Sequence, residues 1–517
     1  MEGSKVAEFF AGKSVFLTGA TGFCGQAILA KILRSTDVEC VYLLVRAKKG
    51  VSPRERVVKT LEAPIFEELR GDRLESTISR IVCVSGDMMA PGLGLSREDR
   101  QLLREKVNVI INGAAIVAWN RTLDVYVQMH IGGVSRIMDL ARECHDLHAF
   151  VHISTAYCHS ERTRIEEKVY PSDVPPADLL KALEWMTPQM WENLKPQLLG
   201  NKANSYTWTK AVAEAYIEQY RGSLPTAIVR PSIVTSVWKD GCVGWVDGFQ
   251  GLTGGIVGGC IGALRCMHGN GDNIADLIPV DVVANCVIAV AWRTARLCGS
   301  YSYEDSKLEG LKEDKIVKSM PLPVMPIIED DESDHKSYPS GNSEPRSSEA
   351  GDSTKTAVSP SHPLLVYNCT SGEFNPVTWT QFMRTYMKEA SKTVVLNPRL
   401  RAPNFKVHKS AAMNKLHEFL AHKCFAMVVD PILIVSGKGP MLHKAYRRWE
   451  MAKDDLGTMT EVNNPWEVEN MRALIADLGK GSKDSDAFGV DVTDINWAAY
   501  CLDYTRGVKI HLLKQKP

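Results

Sequence analysis

Ser14-Val15-Phe16-Leu17-Thr18-Gly19-Ala20-Thr21-Gly22-Phe23-Cys24-Gly25 is the stretch on which the fold turns. Ser14 to Leu17 reads as a short buried strand. Residues 26–33 continue with the apolar spacing of a helix. Three glycines, Gly19, Gly22 and Gly25, stand between them at the spacing of a dinucleotide cradle. Gly19 permits the tight turn, Gly22 lets a pyrophosphate approach the backbone, and Gly25 lets the helix pack on the strand. Thr21 and Phe23 belong to the same loop and are counted among its cofactor-facing residues. The pyrophosphate is expected over the helix N-terminus, where free N–H groups and the helix dipole favour negative charge.

The next strand, 40–45, ends about twenty residues past the glycines, where an NAD enzyme carries an acid for the ribose hydroxyls. Here Arg46 follows it, with Lys48 and Lys49 close behind, and no Asp or Glu stands in that place. Cations there suit a 2′-phosphate, so NADP(H) is expected over NAD(H). Two later strand ends complete the expected site. Residues 81–84 run into Asp87, placing it near an adenine. Residues 109–111 run into Asn112-Gly113-Ala114-Ala115, whose small side chains at Ala114 and Ala115 let the backbone pass close to a ligand. Both fit the rule that ligands of open parallel sheets bind beyond the carboxyl ends of the strands.

A second motif, Tyr206-Thr207-Trp208-Thr209-Lys210, puts a phenol and an ammonium at i,i+4 on one face of a helix. A free phenol, with a pKa of about 10, exchanges protons poorly at neutral pH. A nearby ammonium and an oxidised nicotinamide would stabilise the phenolate and lower that value. Tyr206 is then the expected general acid towards a carbonyl oxygen, with Lys210 also on the nicotinamide ribose. A hydroxyl after the strand 150–153, Thr155 or failing that Ser154, would hold the oxygen. Tyr157 competes with Tyr206 but has no Lys four residues on, and reads as packing or substrate contact.

Composition sets the frame. The 517 residues are 44% hydrophobic and 24% charged with zero formal net charge, which is ordinary for a globular chain of two or three domains. Neutrality argues against a nucleic-acid partner. The 13 cysteines contain no C-x-x-C pair and are odd in number, which fits reduced thiols better than a disulfide framework or a metal site. The first ten residues lack the basic start and apolar core of a signal peptide. Residues 301–361 turn acidic and rich in Ser, Pro and Gly, and are expected to form a disordered insert. Residues 250–264 are apolar and glycine-rich but too short to span a bilayer, and read as a buried helix or loop, or as the lining of an acyl tunnel. Residues 421–435 are apolar but broken by Lys423, Asp430 and Pro431, so they read as a core helix or one lying on a membrane, with Lys438, Lys444, Arg447 and Arg448 at the headgroups.

With these residues in hand, the chain resembles the extended short-chain dehydrogenase/reductases, and among them the fatty acyl-CoA reductases. The likeness rests on the two motifs and on the segments 41–46, 151–157, 228–234, 244–247, 275–283 and 366–372. It covers roughly 11–300 and 362–510. It implies an α/β fold: a doubly wound, Rossmann-type parallel sheet over 11–300, completed by 362–384, with a smaller, mainly helical C-terminal domain at 385–517. It adds Pro231 and Ile233 to the cofactor site. It implies that a long-chain acyl-CoA is reduced by two NADPH to a primary alcohol and free CoA, through a hemithioacetal and an aldehyde, on one set of residues. Where relatives carry an Asn that keeps the active-site Lys connected to solvent protons, this chain has His130. Where relatives often carry Arg, it has Ala118. Some relatives continue into a hydrophobic tail anchor, whereas this chain ends at Pro517. It is expected to face the cytosol and to lie peripherally on an endoplasmic-reticulum or peroxisomal membrane. Other dehydrogenases of the extended class share the two motifs but do not account for the C-terminal region. A non-catalytic NADP-binding regulator would find support only in His130 and the insert.

Overall fold

The computed structural model describes residues 3–70, 74–117, 121–249, 251–299, 362–393, 400–437 and 439–515. The expected insert at 301–361 lies outside the described residues, as does Ala118.

Seven strands form one parallel sheet: β1 (Ser14–Thr18), β2 (Cys40–Val45), β3 (Ile81–Ser85), β4 (Val107–Asn112), β5 (Ala149–Ile153), β6 (Thr226–Pro231) and, after the insert, β10 (Leu365–Cys369). Their order is β10-β6-β5-β4-β1-β2-β3. The chain winds outward from β1 to β3, then crosses to the other side of β1 and winds away through β4, β5 and β6. That reversal between β1 and β4 opens a crevice at their carboxyl ends. β10 pairs with β6 in parallel and so completes the sheet from beyond the insert.

Alternation divides the strands between two cores. Val15, Leu17, Val109, Ile111, Val151 and Val229 face one layer. Phe16, Ile110, Phe150, Ile228 and Val366 face the other. Both faces are covered, which is why the strands carry near-continuous apolar runs. The helices Phe23–Ser35 and Val280–Leu297 lie on the first face, and Gly133–Glu143 and Ser205–Tyr220 on the second.

Two short parallel pairs stand outside the sheet: β7 (Ile233–Thr235) with β9 (Leu277–Pro279), and β8 (Cys266–His268) with β11 (Lys406–His408). The apolar, glycine-rich stretch 250–264 contains the buried helix Leu252–Cys260.

The C-terminal region is built onto the first core. Leu474, Tyr500 and Tyr504 belong to the same buried cluster as Ile288 and Trp292. The helix Trp379–Thr393 packs along Trp497–Gly507. Residues 464–470 return to the loop after β5: Ile165 bridges Trp466, and the Trp466 indole N–H donates to the Ala156 carbonyl at 3.1 Å. A close crossing joins the Gly244 turn to helix Trp497–Gly507. Gly244 has a φ of +78°, and a Cβ on Gly507 would stand 1.7 Å from the Gly244 carbonyl oxygen. Gly507→Ala is therefore expected to lower stability by roughly 1–3 kcal/mol through overpacking. Urea denaturation monitored by far-UV circular dichroism checks this, and an unchanged midpoint would show that the crossing can relax.

Candidate active site

The site begins at the crevice between β1 and β4. Gly19 has a φ of +79°, and a Cβ there would lie 2.8 Å from the backbone of Gly113 and Ala114. A Cβ on Gly25 would lie 2.1 Å from the Gly19 carbonyl oxygen. These two glycines bring the cradle loop against the end of β4 and the helix Phe23–Ser35 against the loop. Gly22 is the N-cap of that helix and offers no side-chain cap, so the first N–H groups are left to a ligand. Phe23 packs on Trp245 with ring centroids 5.2 Å apart, which draws the 244–247 segment to the cradle. Gln26 completes that link, donating to Asp247 at 2.8 Å.

A hydrogen-bonded row crosses the strand ends. The Ala114 N–H donates to Thr18 Oγ1 at 3.1 Å, the Thr18 hydroxyl to Asn112 Oδ1 at 2.8 Å, and the Asn112 amide meets His152 Nδ1 at 3.1 Å. The row places Ala114 and Ala115 at the mouth of the crevice. Pro231 ends β6 and Ile233 starts β7, both buried.

At the far ends of β2 and β3, Arg46 and Asp87 meet. Arg46 Nη1 lies 3.0 Å from Asp87 Oδ2, and both are partly exposed. Asp87 also accepts the Met89 N–H. Arg56 was not singled out in the sequence. It lies on helix Pro53–Leu61 and donates to Thr21 Oγ1 at 2.9 Å and to the Arg46 carbonyl at 2.7 Å. Two guanidiniums thus share the rim of the cradle. The signal in the sequence was weak: a single Arg on a polar helix, without a motif.

Tyr206 and Lys210 lie on helix Ser205–Tyr220, whose first turn is closed by an Asn204 capping box. Lys210 is buried and its ammonium donates to the Ile153 carbonyl at 2.7 Å. Ile153 ends β5, and its side chain touches the Gly113 position, so the ammonium sits one residue from the cradle crossing. Burial lowers the Lys210 pKa to about 8, against the pull of Glu214. Thr155 Oγ1 accepts from the Tyr157 N–H at 3.3 Å and stands beside the Tyr206 phenol. Ser154 is adjacent and buried, and its hydroxyl has no partner. Tyr157 packs edge-on to Trp466 at 5.7 Å and is a packing residue. In the chain by itself burial pushes the Tyr206 phenol upward, and the Thr155 hydroxyl opposes only part of that. The phenol therefore stands protonated, the form in which it can donate.

His130 occupies a π-helical turn, Gln128–Gly132, against the Tyr206 ring at 5.6 Å. Its Nε2 accepts the Ile116 N–H at 3.1 Å. Nδ1 then carries the proton and donates to Thr209 Oγ1 at 2.8 Å, while Thr209 donates onward to the Ser205 carbonyl at 2.7 Å. Burial and Lys210 hold His130 well below its usual pKa. The imidazole is neutral, and both nitrogens are committed.

Behind Lys210 lies a pair the sequence reading missed. Glu214 and Arg230 are fully buried and bound through two hydrogen bonds, Nε to Oε1 at 3.0 Å and Nη2 to Oε2 at 2.6 Å. Burial works against the Glu214 charge, but Arg230 outweighs it and holds that carboxyl well below its ordinary range. Arg230 also donates to the Glu166 and Lys168 carbonyls, fixing the loop beyond the site. Cys158, His159 and Glu214 come close enough to offer three metal-ligand atoms. Arg230 already holds Glu214, and Lys202 holds His159 Nδ1 at 3.0 Å, so cations occupy this donor set.

Family models described as male sterility protein match residues 17–287, the nicotinamide-binding part, and 421–515. Fatty acyl-CoA reductase 1 of Rattus norvegicus is 32% identical over 512 residues, covering 99% of this chain and 87% of that one. Fatty acyl-CoA reductase 2 of Bos taurus is 29% identical over 517 residues with the same coverage. Among solved structures, the terminal R domain of the myxalamid biosynthetic pathway has a TM-score of 0.56 at 18% identity, covering 98% of this chain and 94% of that one. The R domain of a nonribosomal peptide synthetase from Mycobacterium tuberculosis has a TM-score of 0.54 at 15% identity, covering 99% and 97%. These structures share the fold. The class is that of reductases with a nicotinamide-binding α/β domain. Within it, the chain belongs to the fatty acyl-CoA reductase family.

The buried ion pair yields a stability prediction. Arg230→Met should cost about 3–5 kcal/mol, because it leaves Glu214 charged and uncompensated. Chemical denaturation of Arg230→Met and of the double variant Arg230→Met/Glu214→Leu checks this. The double variant should recover most of the loss. Equal stability of the single variant would show that Glu214 finds another partner.

Proposed function

We propose that this chain reduces long-chain fatty acyl-CoA to the primary alcohol with NADPH, releasing CoA, and that Tyr206, Lys210 and Thr155 carry both reductions. The observation that carries this is the meeting of the protonated Tyr206 phenol, the Thr155 hydroxyl and the buried Lys210 ammonium beside the glycine cradle. NADPH, when bound, supplies the hydride for each reduction. The cradle fits it: Gly19 and Gly25 occupy positions a Cβ would obstruct, and the helix end after Gly22 is left open for the pyrophosphate.

Thr155 and Tyr206 hydrogen-bond the thioester oxygen, and Tyr206 donates its proton as the oxygen gains charge. The tetrahedral hemithioacetal returns its hydroxyl proton to the Tyr206 phenolate as its C–S bond breaks, and CoA leaves as the thiolate, which takes a proton from solvent, so the phenol is again protonated for the second reduction. The aldehyde that results presents its oxygen to the same two hydroxyls for the second reduction. Lys210 stabilises the phenolate left on Tyr206 and binds the nicotinamide ribose. The buried Ser154 hydroxyl, which has no partner, is the alternative to Thr155 for holding the oxygen. Arg46 and Arg56 would hold the 2′-phosphate at the rim of the cradle. Their shared rim favours NADPH over NADH. A greasy substrate favours work at a membrane surface facing the cytosol, on the endoplasmic reticulum or the peroxisome.

NADPH oxidation with palmitoyl-CoA, with alcohol and free CoA quantified, tests the reading. Two NADPH per alcohol are expected. Tyr206→Phe should lower kcat by about 10²–10⁴-fold while NADPH still binds. Arg46→Ala/Arg56→Ala should weaken NADPH and leave NADH unchanged. Undiminished turnover by Tyr206→Phe would refute the acid role.

The pH profile follows from Lys210. Its folded pKa of about 8 lies below the ordinary lysine value, so the ammonium is present at neutral pH and lost as pH rises through that range. The rate of hydride transfer should fall above pH about 8. Lys210→Arg, which keeps its charge, should move that limb upward, and an unmoved limb would assign it to another group.

A further inference from the structure

The helical run Ala411–Glu418, Phe419–Cys424 and Phe425–Val435 is amphipathic in the inverted sense. Its buried positions are Asn414, Glu418, His422, Ala426 and Asp430, four residues apart and mostly polar. In an α-helix such spacing drifts about 40° per step. The π-helical Phe419–Cys424, with its wider turn, takes back part of that drift and keeps the stripe facing inward. Each charged or ring group on it has a partner. Glu418 accepts from Lys453 at 3.0 Å, His422 Nε2 accepts the Arg265 N–H at 2.9 Å, and Asp430 accepts the N–H groups of Leu442 and His443 at 2.9 Å.

The opposite side is apolar and open. Of the 19 large hydrophobic residues exposed among the described residues, nine lie between Met413 and Val435. Leu420 is 58% exposed, Met427 69%, Val428 66%, Ile432 64% and Val435 91%. A patch of this kind marks an interaction surface.

Charge identifies the partner. Residues 400–450 hold nine Lys and Arg against three Asp and Glu, in a chain with zero net charge. Two of the three acids, Glu418 and Asp430, are the buried ones. Lys415 and Lys423 are exposed on the run itself, and Lys444 and Arg447 on the helix Met441–Glu461 that packs against it; the third acid, Glu450, lies 3.8 Å from Lys423. A second copy of this face would bring like charges together, whereas an anionic bilayer surface offers hydrocarbon for the ridge and phosphates for its rim.

We propose that the outward side of residues 413–435 is a membrane-docking surface that lies in the plane of the bilayer interface, with its apolar side chains among the acyl chains and the flanking cations at anionic headgroups. No helix among the described residues is long and apolar enough to cross a membrane. The surface is independent of the reaction assigned above, and its test reads binding, not turnover.

The test is flotation of the full chain with phosphatidylcholine vesicles, with and without phosphatidylserine. The protein should float with both and more with phosphatidylserine, with the extra share removed by salt. Leu420→Glu/Val428→Glu/Ile432→Glu should cut flotation by about tenfold or more. Its NADPH binding and turnover of a short, water-soluble acyl-CoA should not change. Lys415→Glu/Lys423→Glu should lose only the phosphatidylserine preference. Hydrogen exchange on the unaltered protein serves as a second readout: vesicles should protect the amides of 411–435 selectively. No flotation by protein that binds NADPH, equal flotation by the triple variant, or a dimer in light scattering that the triple variant abolishes without any vesicle binding would each overturn the proposal.

Discussion

The structure depends on how closely two backbones pass at the carboxyl ends of β1 and β4. Gly19 and Gly113 meet where a single Cβ would stand 2.8 Å from backbone atoms. That approach lets the sheet reverse its winding beside an open helix end. The same crossing carries on into chemistry. Gly113 borders Ile153, and the Ile153 carbonyl anchors the Lys210 ammonium. The cradle and the helix Ser205–Tyr220 are thus set relative to one another through Ile153, whose side chain packs at Gly113 and whose carbonyl takes the Lys210 ammonium.

Electrostatics sharpen this arrangement. Lys210 is buried among groups that oppose one another: desolvation lowers its pKa, and Glu214 pulls the other way. Glu214 can stay charged there because Arg230 saturates it from β6. Without Arg230 the carboxylate would be a buried charge that lacks its main partner. Arg230 also grips the loop 166–168, and residues 464–470 close over the same region from the C-terminal part. The C-terminal region therefore fixes the loop that follows Thr155.

The same region turns its polar residues inward and its apolar ones outward at 413–435. Burying Glu418, His422 and Asp430 is tolerable only because each meets a specific partner. This arrangement makes sense for a protein whose substrate is a lipid: the surface that would be a liability in water becomes a contact in a bilayer.

Much of the fold was legible in the chain. The strand, three glycines and helix at 14–33 are adjacent in sequence, so their geometry follows from local sterics and periodicity. The pairing of Tyr206 with Lys210 is also local, set by the helical repeat, and the strands at 40–45, 81–84, 109–111 and 150–153 show as apolar runs, whereas the strand Leu365–Cys369 came into view only with the sheet. What the tertiary structure alone decided concerns contacts between distant positions. Arg56 reaches Thr21 across a crossover, Arg230 meets Glu214 from another layer, and His130 meets Thr209 with a tautomer set by its two partners. The sense of the Tyr206 pKa shift belongs here too, since burial is a property of everything packed around a group. For residues 411–435, helical periodicity distinguishes two sides, but only packing against Arg265, Lys453 and the turn at Leu442 decides which of them faces inward. Local sequence sets conformation through short-range sterics. Burial and charge compensation are sums over neighbours that only the folded chain brings together.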